Sequence, residues 1–278
     1  MNIKNCMNDL INKFKNFSNP ILEAEILLCK ILNKSKSWLI GFDDYKLSQR
    51  QQDLLKKMVY RRLLKEPSAY IIGEKEFFSL NFKVNKKTMI PRPDTEILVE
   101  KSLQKIKKYN LKNILDLGTG CGSIAISIAK NFYSCKVLGV DISKEAIKIS
   151  KINSHKLKVK NVNFLVSNWF EKIKFKNFDI IVSNPPYISY NEFSKIKKEL
   201  IFEPKLAFLS SDNGLFFIKK IIFFSKFYLN KNGWLFIEHG WMQKFSVQKI
   251  FILNNYIHVK TYKDYGNNFR LTVGQKNF

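Results

Sequence analysis

The sequence predicts an α/β protein: a doubly wound, mostly parallel sheet with helices on both faces, preceded by a small helical domain. Three observations predict it. Residues 1 to about 75 carry helix-start signals and apolar residues at helical spacing. From Asn113 onward, short apolar strands alternate with helical stretches. A glycine-rich segment, Asp116-Leu117-Gly118-Thr119-Gly120-Cys121-Gly122, falls directly between a strand and a helix.

In the helical part, Asn19 stands as an N-cap with Pro20 as the first helical residue, and Ile21, Leu22, Ile26, Leu27 and Ile31 follow at helical spacing. Ser48 and Gln51 make a capping box, after which Leu54, Leu55, Met58, Val59 and Leu63 run on until Pro67 stops the helix. Residues 76–93 read as a β-hairpin connector: Phe78, Leu80, Phe82 and Val84 alternate with polar residues around Asn81. The sheet-bearing domain is expected over 94–278. It reads as helix (about 95 to 108), strand (Asn113 to Leu117), helix (Ser123 to Lys130), strand (Lys136 to Val140) and helix (Ser143 to Ser154). Strands at Asn163 to Val166 and Asp179 to Ser183 follow, with further helices and strands in the last third. Near the end, Tyr256 to Tyr262 and Phe269 to Val273 are joined by a turn too short for a helical crossover, so an antiparallel pair should close the sheet.

Size and composition fit this plan, since 278 residues suit a main domain with a smaller one attached and 45% are apolar. With 48 basic against 23 acidic residues the net charge is +25, which would attract nucleic acid or any acidic partner. The lysines, however, are spread along the whole chain and come with many Asn, Ile and Phe, so they read first as solvated surface. Cys6, Cys29, Cys121 and Cys135 show neither CxxC spacing nor disulfide density, and no metal site is expected. The most hydrophobic segment, Leu215 to Leu229, is interrupted by Lys219, Lys220 and Lys226, and residues 1–17 lack a continuous apolar stretch. A cytoplasmic protein without a membrane span is expected.

The glycine-rich turn permits a tight strand-to-helix connection and close approach of a ligand to the backbone. A nucleotide-like ligand is implied. The dinucleotide fingerprint wants glycine at 123, where Ser123 stands, so NAD is the weaker choice. Asp141 ends the next strand, where a carboxylate can accept both ribose hydroxyls; alternatively it caps the following helix, a role Ser143 also fits. Asn168-Trp169 follows the third such strand, offering an amide oxygen to an adenine amine and an indole to the ring.

The most specific segment is Ser183-Asn184-Pro185-Pro186-Tyr187, after the apolar strand Asp179-Ile180-Ile181-Val182. Two prolines remove backbone donors and stiffen the loop, so the Asn184 amide oxygen and the Pro185 carbonyl can stand as fixed acceptors for an NH2 group. Amide nitrogen is a poor nucleophile because its lone pair is delocalised; held this way it is oriented towards an incoming methyl group. Tyr187 can pack on the planar group.

Taken with these motifs, Ile90-Pro91-Arg92-Pro93-Asp94-Thr95-Glu96, Glu203-Pro204, Glu238-His239-Gly240, Asp264-Tyr265-Gly266 and Arg270 make the chain resemble, over almost its full length, the HemK-like N5-glutamine methyltransferases of peptide-chain release factors. The resemblance implies a Rossmann-like, seven-stranded class I domain using S-adenosyl-L-methionine, behind a helical domain that helps to dock the substrate. It implies cofactor contacts from Gly118, Thr119, Gly120, Cys121, Gly122, Asp141, Asn168, Trp169 and Asn184. Asn184, Pro185 and Tyr187 would be catalytic, and with Pro186 would hold the glutamine of the GGQ loop of class I release factors. Arg92 either lines the substrate mouth or makes a structural salt bridge, and Asp94 or Thr95 would cap the helix behind it. Asn168 departs from the family, in which many members carry an acidic residue, and Phe269 occupies a position often polar. A monomer is expected. Two rivals remain: an enzyme acting on exocyclic amines of adenine or guanine in RNA or DNA, and a non-catalytic basic adaptor for RNA or the ribosome.

Overall fold

The computed structural model describes residues 1–277, with only the backbone for residues 197–199. Contacts group them into two compact units, Met1–Glu74 and the remainder from Lys75. In the first unit, α1 (Ile3–Lys13), α2 (Pro20–Leu32), α3 (Lys36–Gly41), α4 (Gln49–Leu63) and α5 (Ser68–Ile72) enclose a core that includes Ile3, Leu10, Phe14, Leu27, Leu28 and Leu55. Asn19 caps α2 through Leu22 N, with Pro20 in its first turn, and the Ser48–Gln51 box closes reciprocally at the start of α4.

A hairpin follows, β1 (Glu74–Phe77) and β2 (Leu80–Lys83), which belongs to the second unit from Lys75 onward. Its turn falls on Phe78 and Ser79, both with positive φ, and not around Asn81, which lies within β2. Two such residues make the tight turn whose twist matches the flanking strands, although neither belongs to the types that signal it in a sequence.

After a 3-10 turn at Pro93–Thr95 come α6 (Glu96–Tyr109), β3 (Asn113–Leu117), α7 (Ser123–Asn131), β4 (Lys136–Asp141), α8 (Lys144–Lys156), β5 (Val162–Val166) and β6 (Phe178–Ser183). The chain continues through α9 (Tyr190–Leu200), α10 (Phe216–Ser225), β7 (Leu229–Glu238), α11 (Lys244–Leu253), β8 (Tyr256–Lys263) and β9 (Phe269–Lys276). The sheet has seven strands in the order β5-β4-β3-β6-β7-β9-β8. Strands β3 to β7 pair in parallel, while β9 runs antiparallel between β7 and β8. The doubly wound sheet closed by an antiparallel pair is therefore present. Parallel strands covered on both faces must be apolar nearly throughout, as Ile114, Leu115 and Leu117 of β3 and Ile180, Ile181 and Val182 of β6 are.

From β3 the chain winds outward to β5, then returns to β6 on the other flank of β3. Leu117 and Ser183 are register partners, and Ser183 Oγ donates to the Leu117 carbonyl at 2.8 Å. The order reverses there, and the loops leaving the two strands part to open a crevice. Among the described residues no helix is long and apolar enough to cross a membrane, the four cysteines are free, and no acidic, His or Cys cluster could hold a metal.

Candidate active site

The glycine loop leaves β3 at this crevice. Gly118 has φ +75, and a Cβ there would meet the Trp169 ring at 3.6 Å and the Asn184 carbonyl at 4.0 Å. Three sequence-predicted residues, on three different loops, thus converge. At Gly120 (φ +56) an added Cβ meets nothing within 4 Å, whereas at Gly122 it would press on Ile126, Ser150 and Phe164 at 2.9 to 3.3 Å. Gly120 therefore borders open space and Gly122 serves packing. Thr119 turns inward, donating to Asp116 Oδ2 at 2.6 Å, and Cys121 is buried with its thiol pushed up to about 12 by desolvation. Only the backbones of Thr119 and Cys121 face outward chemistry. Asn153 of α8, unremarked in the sequence, fixes the loop from behind by donating to the carbonyls of Cys121 and Lys83.

Asp141 accepts from Gly120 N and Ser143 N, each at 2.9 Å, so it braces the glycine loop with one oxygen and the start of α8 with the other. Burial raises its pKa against those bonds. Ser143 is the true N-cap of α8, which leaves the remaining lone pairs of Asp141 to a ligand. The Asn168 amide donates to Glu171. Its oxygen has no partner among the described residues. Trp169 adopts φ 50, a left-handed conformation unusual for a bulky side chain, and this aims its ring over Gly118.

On the other flank, Pro185 and Pro186 are buried and Asn184 Nδ2 donates to Thr95 Oγ1 at 3.2 Å. Thr95 precedes α6 but makes no side-chain cap; its hydroxyl is used on this loop instead. With Nδ2 engaged, Asn184 Oδ1 and the Pro185 carbonyl have no hydrogen-bond partner among the described residues. The Tyr187 hydroxyl donates to Glu238 Oε1 at 3.2 Å, and burial keeps that phenol protonated. Glu238 is fully buried at the end of β7. Desolvation lifts its carboxyl to about 7, opposed by the Thr95 hydroxyl, Arg270 and Tyr187. Arg270 pairs with Asp264 at 2.9 Å and Asp94 at 3.3 Å. His239, buried and held neutral with its pKa near 4, bonds Gly240 O and Thr272 Oγ1.

Two further supports were not visible beforehand. Gln243 Nε2 donates to the carbonyls of Tyr187 and Asn213, each at 3.1 Å, while its Oε1 accepts from Gly240 N. Gly214 (φ +84) lets the Tyr187 carbonyl pass so closely that a Cβ would overlap it. The run Asp212-Asn213-Gly214, all at positive φ, was the available signal. Arg92 pairs with the buried carboxylate of Glu203 at 2.5 Å, and Glu203 also accepts from Ile90 N. The structure thus gives Arg92 the salt bridge.

A doubly wound seven-stranded sheet with a glycine loop on one side of its switch point and the Asn184–Tyr187 loop on the other is the architecture of a methyltransferase of the Rossmann-like class. The Methyltransferase small domain family matches residues 93–231, and the PrmC N-terminal domain matches residues 7–73. In fold the chain is similar to a methyltransferase from Pyrococcus furiosus (TM-score 0.53, 17% identity, 84% of this chain and 100% of that one). It is similar also to the Thermus thermophilus 16S rRNA N2 G1207 methyltransferase, solved with AdoMet and guanosine (TM-score 0.52, 15% identity, 73% and 50%). Much greater similarity is found to the release factor glutamine methyltransferases of Buchnera aphidicola from Acyrthosiphon pisum (48% identity, 99% of each chain) and Escherichia coli K12 (36%, 99% of each). The chain belongs to the release factor glutamine methyltransferase family.

Membership and fold imply S-adenosylmethionine as methyl donor. The residues present fit it: Gly120 leaves a cradle open, Asp141 keeps lone pairs for hydroxyls, and Trp169 offers a ring face.

Proposed function

We propose that this chain methylates the side-chain nitrogen of the glutamine in the GGQ loop of peptide-chain release factors. S-Adenosylmethionine, when bound, supplies an electrophilic methyl group. Gly118, Gly120, Asp141, Asn168 and Trp169 would hold it, with the backbones of Thr119, Cys121 and Gly122 completing the turn. The single observation that carries the reading is the orientation of Asn184. Its amide N–H is spent on Thr95, so Oδ1 stands beside the Pro185 carbonyl as a second fixed acceptor. Two acceptors on a loop stiffened by Pro185 and Pro186 engage both hydrogens of a primary amide and leave its lone-pair face to the donor. Tyr187, tethered by Glu238, packs against the planar group. Positioning and polarisation suffice, and no side chain is assigned as acid or base.

Mass spectrometry of the GGQ-bearing peptide tests this. After incubation of release factor with enzyme and donor, one methyl group is expected on the glutamine, and none with Asn184→Ala. An unmodified glutamine with the wild-type enzyme overturns the reading.

A further inference from the structure

Three large apolar side chains beside the acceptor loop are exposed, and a fourth, Phe269, is half-buried next to them. Trp241, Met242 and Phe245 are 58%, 65% and 75% exposed. The 3-10 turn Trp241–Gln243 leads directly into α11, so the three share one exposed side at helical spacing. Phe269, at the start of β9, joins them through Lys244, whose Nζ lies 3.9 Å from the Phe269 ring centroid and 4.9 Å from that of Phe245.

Its placement says what covers it. The nucleoside-binding loops leave β3, β4 and β5, whereas this patch follows β7, on the opposite flank of β6 and its acceptor loop. It is also tied to that loop, because Gln243, flanked by Met242 and Lys244, donates to the Tyr187 carbonyl. A macromolecule that delivers a side chain to Asn184 from the side away from the cofactor lays its neighbouring surface here. Clustered exposed aromatics next to a site mark such contacts. A second copy of this chain seated here would obstruct the approach to the acceptor loop.

We propose that Trp241, Met242, Phe245 and Phe269 form the docking surface for the release-factor segment flanking the target glutamine; this rests on the function proposed above. The test is steady-state kinetics with intact release factor for wild type, Trp241→Ser/Phe245→Ser and Phe245→Leu. For the double variant, KM for release factor rises about tenfold or more, while kcat and KM for S-adenosylmethionine stay within about twofold. Phe245→Leu alone retains most of the wild-type KM. An unchanged KM for release factor in the double variant overturns the proposal, as does a parallel fall in kcat, which would make the patch a support of the loop. A wild-type dimer in light scattering that the double variant abolishes assigns the patch to self-association and also overturns it. Absence of wild-type turnover on release factor is instead the failure of the parent reading, and the docking surface falls with it.

Discussion

Thr95→Val isolates the orientation of Asn184. Valine keeps the shape of threonine but cannot accept from Asn184 Nδ2. The wild-type bond is 3.2 Å long and half-buried, and stranding the Asn184 N–H costs about 1–3 kcal/mol. Rotation of the amide leaves Oδ1 equally unpartnered against the valine methyl, so the substitution removes the preference between the two orientations, and the rotated one presents a donor to a substrate N–H. A bias of about 1.4 kcal/mol towards the productive orientation corresponds to about tenfold in its population relative to the rotated form. We therefore expect Thr95→Val, which erases this bias, to take the productive orientation from about nine-tenths to about one half of the population and to lower kcat for release factor about twofold, with affinity for S-adenosylmethionine, measured by calorimetry, changed far less. Thr95→Ser, which restores the hydroxyl, recovers most of the rate. A folded Thr95→Val enzyme with wild-type kcat would refute the assignment of Oδ1 as the outward acceptor.

Glu238 gives a pH prediction. Its carboxyl is raised from 4.5 to about 7 by burial, so its contribution to stability is complete below the lower value and is lost as pH rises through the upper one. Glu238→Gln removes this dependence, and urea titrations from about pH 5 to about pH 8 should show the stability gap moving in the variant's favour by up to a few kcal/mol. A gap constant across that range contradicts it. The loop glycines separate by role: Gly120→Ala should weaken donor binding about tenfold or more with a stability loss of only about 1 kcal/mol, while Gly122→Ala, crowding Ile126, Ser150 and Phe164, should lower the melting temperature most. Equal melting temperatures would sink the distinction. Arg92→Ala leaves the Glu203 carboxylate buried without its cation and should cost about 2 kcal/mol or more in chemical unfolding, with KM for release factor close to wild type. A large KM effect on an equally stable protein would return Arg92 to the substrate mouth.

The sheet was legible because parallel strands announce themselves as apolar runs and because the predicted boundaries of β3 to β6 lie within about two residues of those observed. The meeting of the glycine loop with Asp141 and Trp169 was legible for the same reason: each ends or follows a strand, and strand ends on one edge must meet. Interactions across long sequence separations were not. Thr95 looked like a helix cap, yet its hydroxyl serves a residue 89 positions away, and Glu238 meets Tyr187 across 51. No periodicity encodes such pairs. Thr119 and Cys121 belong to the right turn, but which side chains of a glycine loop point inward depends on its φ values, not on its composition.

The most direct measurement follows radiolabelled methyl from S-adenosylmethionine to purified release factor, to its GGQ glutamine-to-alanine variant and to ribosomal RNA, with wild-type enzyme and Asn184→Ala. Label confined to intact release factor and lost with Asn184→Ala is the predicted result. Label on RNA with none on release factor would contradict it, leaving the fold and the cofactor rim in place but moving the acceptor to a nucleobase amine.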